Sequence, residues 1–310
     1  MTATAPASTE TTRPTRAGFV ALIGAPNVGK STLLNALVGQ KLAIVTHKVQ
    51  TTRALIRGIA IHRNAQIVFV DTPGIFAPKR RLERAMVTTA WGGAADADAV
   101  ALLIDAKRGL TDEGRAIAAK LAEFPKERER ALILNKVDIV KRETLLALTA
   151  EANKAGRFSR TFMVSALTGD GVPDLLDYFA AAMPKGPYLY PEDQMTDVPL
   201  RALASEITRE KLMLRLHDEL PYRSTVETEK WTEQKNGVRI DQTIYVERDS
   251  QRKIVLGKGG ETIKAISMAA REEISRLVER PVHLFLFVKV RENWGDDPER
   301  YREMGLEFPR

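Results

Sequence analysis

The sequence predicts an α/β protein of two parts: a domain with a mainly parallel sheet and helices on both faces, then a smaller α+β domain. Three observations predict it. Short apolar runs alternate with helical patterns from residue 18 to residue 183. A stretch with four prolines, "PKGPYLYPEDQMTDVP" (184–199), ends that alternation. Beyond it the order becomes helix, two strands, helix, glycine loop, helix, strand. A chain of 310 residues has room for two domains of ordinary size.

The elements follow in order. "GFVALIG" (18–24) is a buried strand entering a loop, and "STLLNALVG" (31–39) has helical spacing with Gly39 as a stop. "ALIRGIAIHRNAQIVFVDTPG" (54–74) reads as two strands around a turn at Arg63–Asn64. "AVALLIDA" (99–106), "RALILNKVD" (130–138) and "TFMVSA" (161–166) are further strands. Helical patterns lie near 79–92, 112–124, 141–155 and 172–183. Such alternation implies right-handed crossovers, with ligands at the carboxyl ends of the strands. In the second part, a helix over 200–219 precedes "RSTVETEKW" (223–231) and "VRIDQTIYVE" (238–247). Then come "KIVLGKGGETIKAISMAAREEISRLV" (253–278) and "VHLFLFVKV" (282–290). The expected boundaries are a disordered tail over 1–16, a first domain over 17–183, a linker over 184–199, a second domain over 200–295 and a C-terminal tail over 296–310.

Composition removes several classes. With no cysteine there are no disulfides, thiolate metal sites or cysteine nucleophiles. No apolar run approaches the roughly 18–20 residues that cross a bilayer, so no transmembrane segment is expected, and the N-terminus lacks the apolar stretch of a secretory signal. A cytoplasmic protein is expected. The net charge of +7 is unevenly placed: residues 1–198 hold 26 Lys and Arg against 20 Asp and Glu, and residues 199–310 hold 21 against 20. Bulk charge therefore favours polyanion partners only mildly.

Five motifs carry chemistry, each beyond an apolar strand or in a loop beside one. "GAPNVGKST" (24–32) fits G-x-x-x-x-G-K-[ST], in which backbone N–H groups surround phosphates while Lys30 and Ser31 supply a cation and a metal-binding hydroxyl. Gly24, Ala25, Pro26, Asn27, Val28, Gly29 and Thr32 complete this loop. "DTPG" (Asp71, Thr72, Pro73, Gly74) places a carboxylate for Mg²⁺ at a strand end and a glycine N–H for a terminal phosphate. "QTTR" (Gln50, Thr51, Thr52, Arg53) offers hydroxyls in a switch segment. Thr52, ahead of Thr51, joins Ser31 and Asp71 around the Mg²⁺ when that segment closes. "NKVD" (Asn135, Lys136, Asp138) selects the base. Guanine presents two donors, N1–H and the N2 amine, to one fixed carboxylate, whereas adenine turns an acceptor toward it. Asn135 and Lys136 brace base and phosphate loop, and "SAL" (Ser165, Ala166, Leu167) sets a backbone N–H toward the guanine oxygen. GTP and GDP are thus the expected ligands.

These motifs resemble the translation-factor-related GTPases. With "GAPNVGKS", "QTTR", "YPEDQ", "EITREKL" and "VERDSQRKIVLGKGGETIK" the chain is similar to their Era branch over about residues 17–295. The resemblance implies a P-loop GTPase domain followed by a type II KH domain. Many GTPases orient the attacking water with a glutamine where this chain has Ile75, so intrinsic turnover is expected to be slow. The resemblance also implies K⁺ beside the phosphates with Asn27 as a ligand; the alternative is that Asn27 only braces the loop turn.

"GKGG" (Gly257, Lys258, Gly259, Gly260) cannot be a second phosphate loop of the first kind, because no GK[ST] follows. Within its element order it matches the GxxG turn of a KH domain, which clamps the backbone of about four nucleotides. Arg252, Lys253 and Lys264, with Arg271, give the local basic patch that bulk charge does not reveal. Ile254, Val255, Ile263 and Ile266 read mostly as core. Lys79, Arg80, Arg81 and Arg84 form a cationic run read as a solvated helix face, with RNA contact or a cation supplied near the nucleotide as the other readings. The resemblance implies 16S rRNA (its 3′ end) and the 30S subunit as partners; a monomer is expected, and weak peripheral contact with the inner face of the cell membrane is a competing reading left open. Competing classes fit less well: a tRNA-modifying GTPase needs a cysteine or cofactor domain, and a vestigial site would have lost Lys30, Asp71 or Asp138.

Overall fold

The structure is a computed structural model that describes residues 14–48, 51–292, 294 and 297–309. The first sheet contains β1 (Arg16–Ile23), β2 (Ile56–His62), β3 (Ala65–Asp71), β4 (Ala99–Asp105), β5 (Glu129–Asn135) and β6 (Arg160–Val164), in the order β2-β3-β1-β4-β5-β6. Only β2 runs antiparallel, paired to β3 by the tight turn at Arg63–Asn64. Strands β3 and β4 are buried along their whole length, which explains their unbroken apolar runs: a parallel sheet is covered on both faces.

β1 shows the division. Val20 and Leu22 face α1 (Lys30–Val38) and α5 (Val172–Ala182), where Leu33, Leu34, Leu175 and Phe179 complete one core. Ala21 and Ile23 face α2 (Arg81–Asp96), α3 (Asp112–Leu121) and α4 (Arg142–Ala155) in the other.

The second sheet has the order β7-β8-β9, from β7 (Ser224–Gln234), β8 (Gly237–Val246) and β9 (Val282–Val290), with β9 parallel to β8. α6 (Leu200–Arg215) and α8 (Glu261–Leu277) pack on it through Ala204, Ile207, Ala270 and Ile274, and α7 (Asp249–Leu256) adds Val255. No helix among the described residues is long and apolar enough to cross a membrane.

Three expectations change, and the course of the C-terminal segment, which the sequence leaves open, is visible. Residues 1–13 of the expected tail lie outside the described residues, but Arg16 already pairs with Ala65, so β1 takes in a residue assigned to that tail. α6 stops at Arg215 rather than 219, because Leu216 turns extended and Asp218 takes a positive φ. The 184–199 stretch is not a free linker. Gln66 Oε1 accepts from the N–H groups of Leu189 and Tyr190, and Ile59 N–H donates to Met195 O, so the stretch covers edge strand β2. The C-terminal segment folds back on the body: in and around α9 (Pro298–Glu303), Tyr301 and Leu306 are buried against Ala85 and Met86 of α2.

Candidate nucleotide site and nucleic-acid interface

The carboxyl ends of β1, β3, β5 and β6 surround a cavity of about 570 Å³. Pro26, Asn27, Gly29, Lys30, Ser31, Thr32, Thr51, Thr52, Thr72 and Gly74 line one part, and Asn135, Lys136, Asp138, Ala166 and Leu167 the other. Gly24, Ala25, Val28, Asp71, Pro73 and Ser165 stand behind this wall. Gln50 lies outside the described residues.

The phosphate loop needs its glycine at position 29. Its φ is 98°, and a Cβ there would sit 2.3 Å from Asn135 Nδ2. Asn135 ties three loops: Nδ2 donates to Val28 O at 2.9 Å, and Oδ1 accepts from Ala166 N–H at 3.0 Å. Lys136 Nζ donates to Asn27 O at 2.8 Å and to Asp105 Oδ2 at 2.7 Å. Asp138 sits on the short helical turn Val137–Ile139, exposed at the rim, its carboxylate unpaired among the described residues.

Ser31, Thr52 and Asp71 converge although they are far apart in sequence. Ser31 Oγ donates to Asp71 Oδ2 at 2.6 Å and lies 2.9 Å from Thr52 Oγ1, which in turn lies 3.2 Å from the same carboxylate oxygen. Asp71 is buried, and burial pushes its carboxyl above the usual range. Its Oδ1 has no hydrogen-bond partner. A carboxylate with one oxygen free and two hydroxyls on the other suits a hard divalent cation such as Mg²⁺. Thr51 instead turns to Thr46 Oγ1 at 2.7 Å.

Lys30 donates to Gly24 O at 3.2 Å and Ala25 O at 3.1 Å. Burial lowers its pKa to about 8, partly opposed by Asp71. Below about pH 8 the ammonium is charged in folded and unfolded chains alike, so its burial weakens the fold. That penalty fades as pH rises toward the ordinary lysine value of 10.5. Phosphates placed beside Lys30 favour the charged form. Nucleotide binding should therefore take up about one proton through Lys30 near pH 9, whereas near pH 6.5 Lys30 contributes none. Calorimetry in buffers of different ionisation enthalpy reads this directly, and Lys30→Met should abolish the difference.

Arg53 does not join the cavity. It is buried against the second sheet, donating to Ser224 O at 2.9 Å and to Pro221 O and Tyr222 O at 3.3 Å, with its guanidinium over the Trp294 ring. Burial and the like charge of Arg209 lower its pKa to about 9. Other contacts reach the same segment. Arg209 Nη2 donates to Thr51 O, Lys48 Nζ to Met213 O and Leu216 O, and Glu210 Oε1 accepts from Val45 N–H at 2.8 Å. Ile75 is in the core and offers nothing to the cavity.

Sequence reasoning missed Asp105, Arg108 and His47, all of which line the cavity. Asp105 had a signal, an acid closing an apolar strand like Asp71. His47 had none, because it comes to the site through the loop that carries it.

At the second site, Gly257, Gly259 and Gly260 all take positive φ, and Lys258–Gly260 form a short helical turn into α8. A Cβ on Gly257 would meet Thr262 Oγ1 at 2.3 Å, whereas those on Gly259 and Gly260 would meet open space. Arg252, Lys253, Lys258 and Lys264 are exposed around the turn, whereas Arg271, also exposed, lies about three helical turns further along α8 beside Met268 and Phe285. Arg252 and Lys253 share Asp249, while Lys258 and Lys264 have no ion pair among the described residues. Val255 and Ile266 are core as expected, but Ile254 is 58% exposed because α7 turns it outward beside the cations. Phe285 and Phe287 add exposed aromatic surface on edge strand β9.

The sequence family described as 50S ribosome-binding GTPase matches residues 19–136, and the KH domain family matches 219–295. The chain is 71% identical over 302 residues to GTPase Era of Mesorhizobium japonicum, covering 97% of each. It is 69% identical over 298 residues to GTPase Era of Rhizobium meliloti, covering 96% of this chain and 95% of the relative. Two solved structures each superpose with a TM-score of 0.88 at 36% identity, covering 94% of this chain and 99% of theirs. One is a substituted form of Aquifex aeolicus Era bound to GDP.AlF4⁻, the other Era in complex with MgGDPNP and nucleotides 1506–1542 of 16S ribosomal RNA. A P-loop cavity and a KH domain joined in one chain, with this identity along nearly its whole length, lead to one conclusion: the chain belongs to the Era family of GTPases.

Proposed function

We propose that this GTPase uses GTP to switch its hold on the 3′ end of 16S rRNA during assembly of the small ribosomal subunit. Residues 17–183 act as the nucleotide domain and 200–295 as the RNA domain. The observation that carries the reading is the double tie of the 41–53 segment. One side of it gives Thr52 to the Ser31–Asp71 cluster, and the other gives Arg53 and Lys48 to the second domain.

The triphosphate lies along residues 24–32, with Gly74 N–H at its end and guanine on Asp138 and Ala166. Mg²⁺ held by Ser31, Thr52 and Asp71 supplies charge neutralisation to the β- and γ-phosphates. Lys30 gives up its carbonyl partners for the phosphates. Loss of the γ-phosphate removes the reason for Thr52 to stay. That releases the segment and changes how the second domain packs, opening or closing the RNA groove by Lys258 and Lys264. Coupling is reciprocal: whatever factor GTP applies to RNA affinity, RNA applies to GTP affinity. The protein acts as a cytoplasmic monomer on the 30S precursor, and any contact with the inner membrane face is peripheral. Support for the RNA comes from the related Era complex with nucleotides 1506–1542.

Potassium fits as an activator. The donor side of the Asn27 amide is occupied by His47 O at 2.9 Å, which leaves its oxygen for a cation. Hydrolysis should run faster in K⁺ than in Na⁺ at matched ionic strength, and Asn27→Ala should erase the difference; equal rates with the unaltered protein would remove K⁺ from the account. The wider reading is tested by crosslinking in cells with sequencing of bound RNA. Reads piled on the 16S 3′ end support it, and reads scattered over mRNA contradict it.

A further inference from the structure

Three Lys and Arg side chains line the nucleotide cavity: Lys30, Lys136 and Arg108. Two are committed, Lys30 to the loop carbonyls and Lys136 to Asn27 O and Asp105. Arg108 is not. Its side chain is exposed, its hydrogen bond from Nη1 to Pro26 O is long at 3.4 Å, and it forms no ion pair among the described residues, the nearby acid Glu113 acting on it only through its charge.

Its place is informative. A Cβ on Gly74 would come 2.9 Å from Pro26 Cγ, so Pro26 packs on the glycine that faces the terminal phosphate. Through Pro26 the guanidinium therefore lies one residue away from that glycine, on the rim of the cavity. Its root is rigid: Arg108 N–H donates to Asp105 O at 3.1 Å and to Asp105 Oδ1 at 3.3 Å, and Lys107 N–H to the same Oδ1 at 2.9 Å. A fixed root and a loosely tethered tip let the cation move without rearranging the loop.

Hydrolysis supplies the demand. The water oxygen forms a bond to the γ-phosphorus as the bond to the β–γ bridging oxygen breaks. The electron pair stays on the β-phosphate of GDP, and the water's proton ends on the released phosphate. Charge grows on the bridging side, where Ile75, in the core, adds no polar group, so Arg108 acts beside the K⁺ proposed at Asn27. We infer that Arg108 is a built-in charge-stabilising arginine for GTP hydrolysis, leaving Pro26 O for the phosphates as the transition state forms. This rests on the triphosphate lying along residues 24–32, as proposed above.

Arg108→Ala and Arg108→Lys in the full chain test it, by single-turnover hydrolysis and by affinities for GDP, a non-hydrolysable GTP analogue, and GDP with aluminium fluoride. Arg108→Ala should bind GDP and the analogue within about twofold of the unaltered protein, yet hydrolyse about 10- to 100-fold slower, less than an enclosed arginine finger delivers because this one is exposed. It should also lose the extra affinity for the fluoride complex, and Arg108→Lys should restore part of the rate. An unaltered rate and fluoride affinity in Arg108→Ala would overturn the inference. So would an equal loss of affinity for all three ligands, which would make Arg108 a ground-state contact or a loop brace. If Lys30→Ala binds GDP as well as the unaltered protein does, the placement of the triphosphate fails instead.

Discussion

Asp138→Asn is expected to lower GTP affinity by about 10²- to 10⁴-fold, because two hydrogen bonds to a charged acceptor, each contributing about 1.5–3 kcal/mol, are replaced by at most one neutral bond. The amide N–H of the new asparagine would face the N2 amine of guanine, donor against donor. Xanthine carries a carbonyl there, so xanthosine triphosphate should bind the variant better than GTP does. Competition titration with labelled nucleotides measures both. The fold should be indifferent, since Asp138 is exposed and unpaired among the described residues. Its unfolding midpoint should stay within experimental error of the unaltered chain. Retained guanine preference would show that another group reads the base.

The second large effect is on RNA. Lys258→Asp with Gly259→Asp should weaken binding of a 16S 3′-end oligonucleotide by at least about 100-fold, from one lost cation and two carboxylates set against phosphates. GTP affinity should not change. The fold tolerates the pair: Lys258 is exposed, Gly259 has a φ of 61° that aspartate accepts more readily than most residues, and its Cβ meets open space. Gly257 is the wrong target, because the Thr262 contact would confuse misfolding with lost contacts. Filter binding at two salt concentrations separates the outcomes. A variant that keeps its affinity and its salt dependence would move the RNA site away from the glycine turn.

Most of the nucleotide cavity was legible because each motif sits on a strand end whose direction the apolar runs reveal. Thr52 was separable from Thr51 on reach, and the structure gives it the contact with Asp71 while Thr51 turns to Thr46. Arg53 was grouped with its neighbours in "QTTR", yet it faces the other way, into Ser224 and Trp294. One residue along an extended segment reverses a side chain, and nothing local says which side another domain occupies. Asp105 was legible in principle and overlooked. Ile254 looked like core because helix α7 is short and its pattern barely repeats.

The sequence by itself determined the two folds, the loop over 24–32, the loop over 135–138 and the glycine turn, since each is built from residues a few positions apart on elements with a fixed period. Only the tertiary structure decided how the halves communicate. Arg209 reaches Thr51 from 158 positions away and Arg53 reaches Ser224 from 171, while the C-terminal segment returns to α2. Such contacts depend on which surfaces meet after each unit has buried its own apolar face. Between the domains those surfaces are polar and aperiodic, and the apolar residues of the C-terminal segment are too few to set a period, so the pattern that predicts a helix or a strand carries no record of its distant partner.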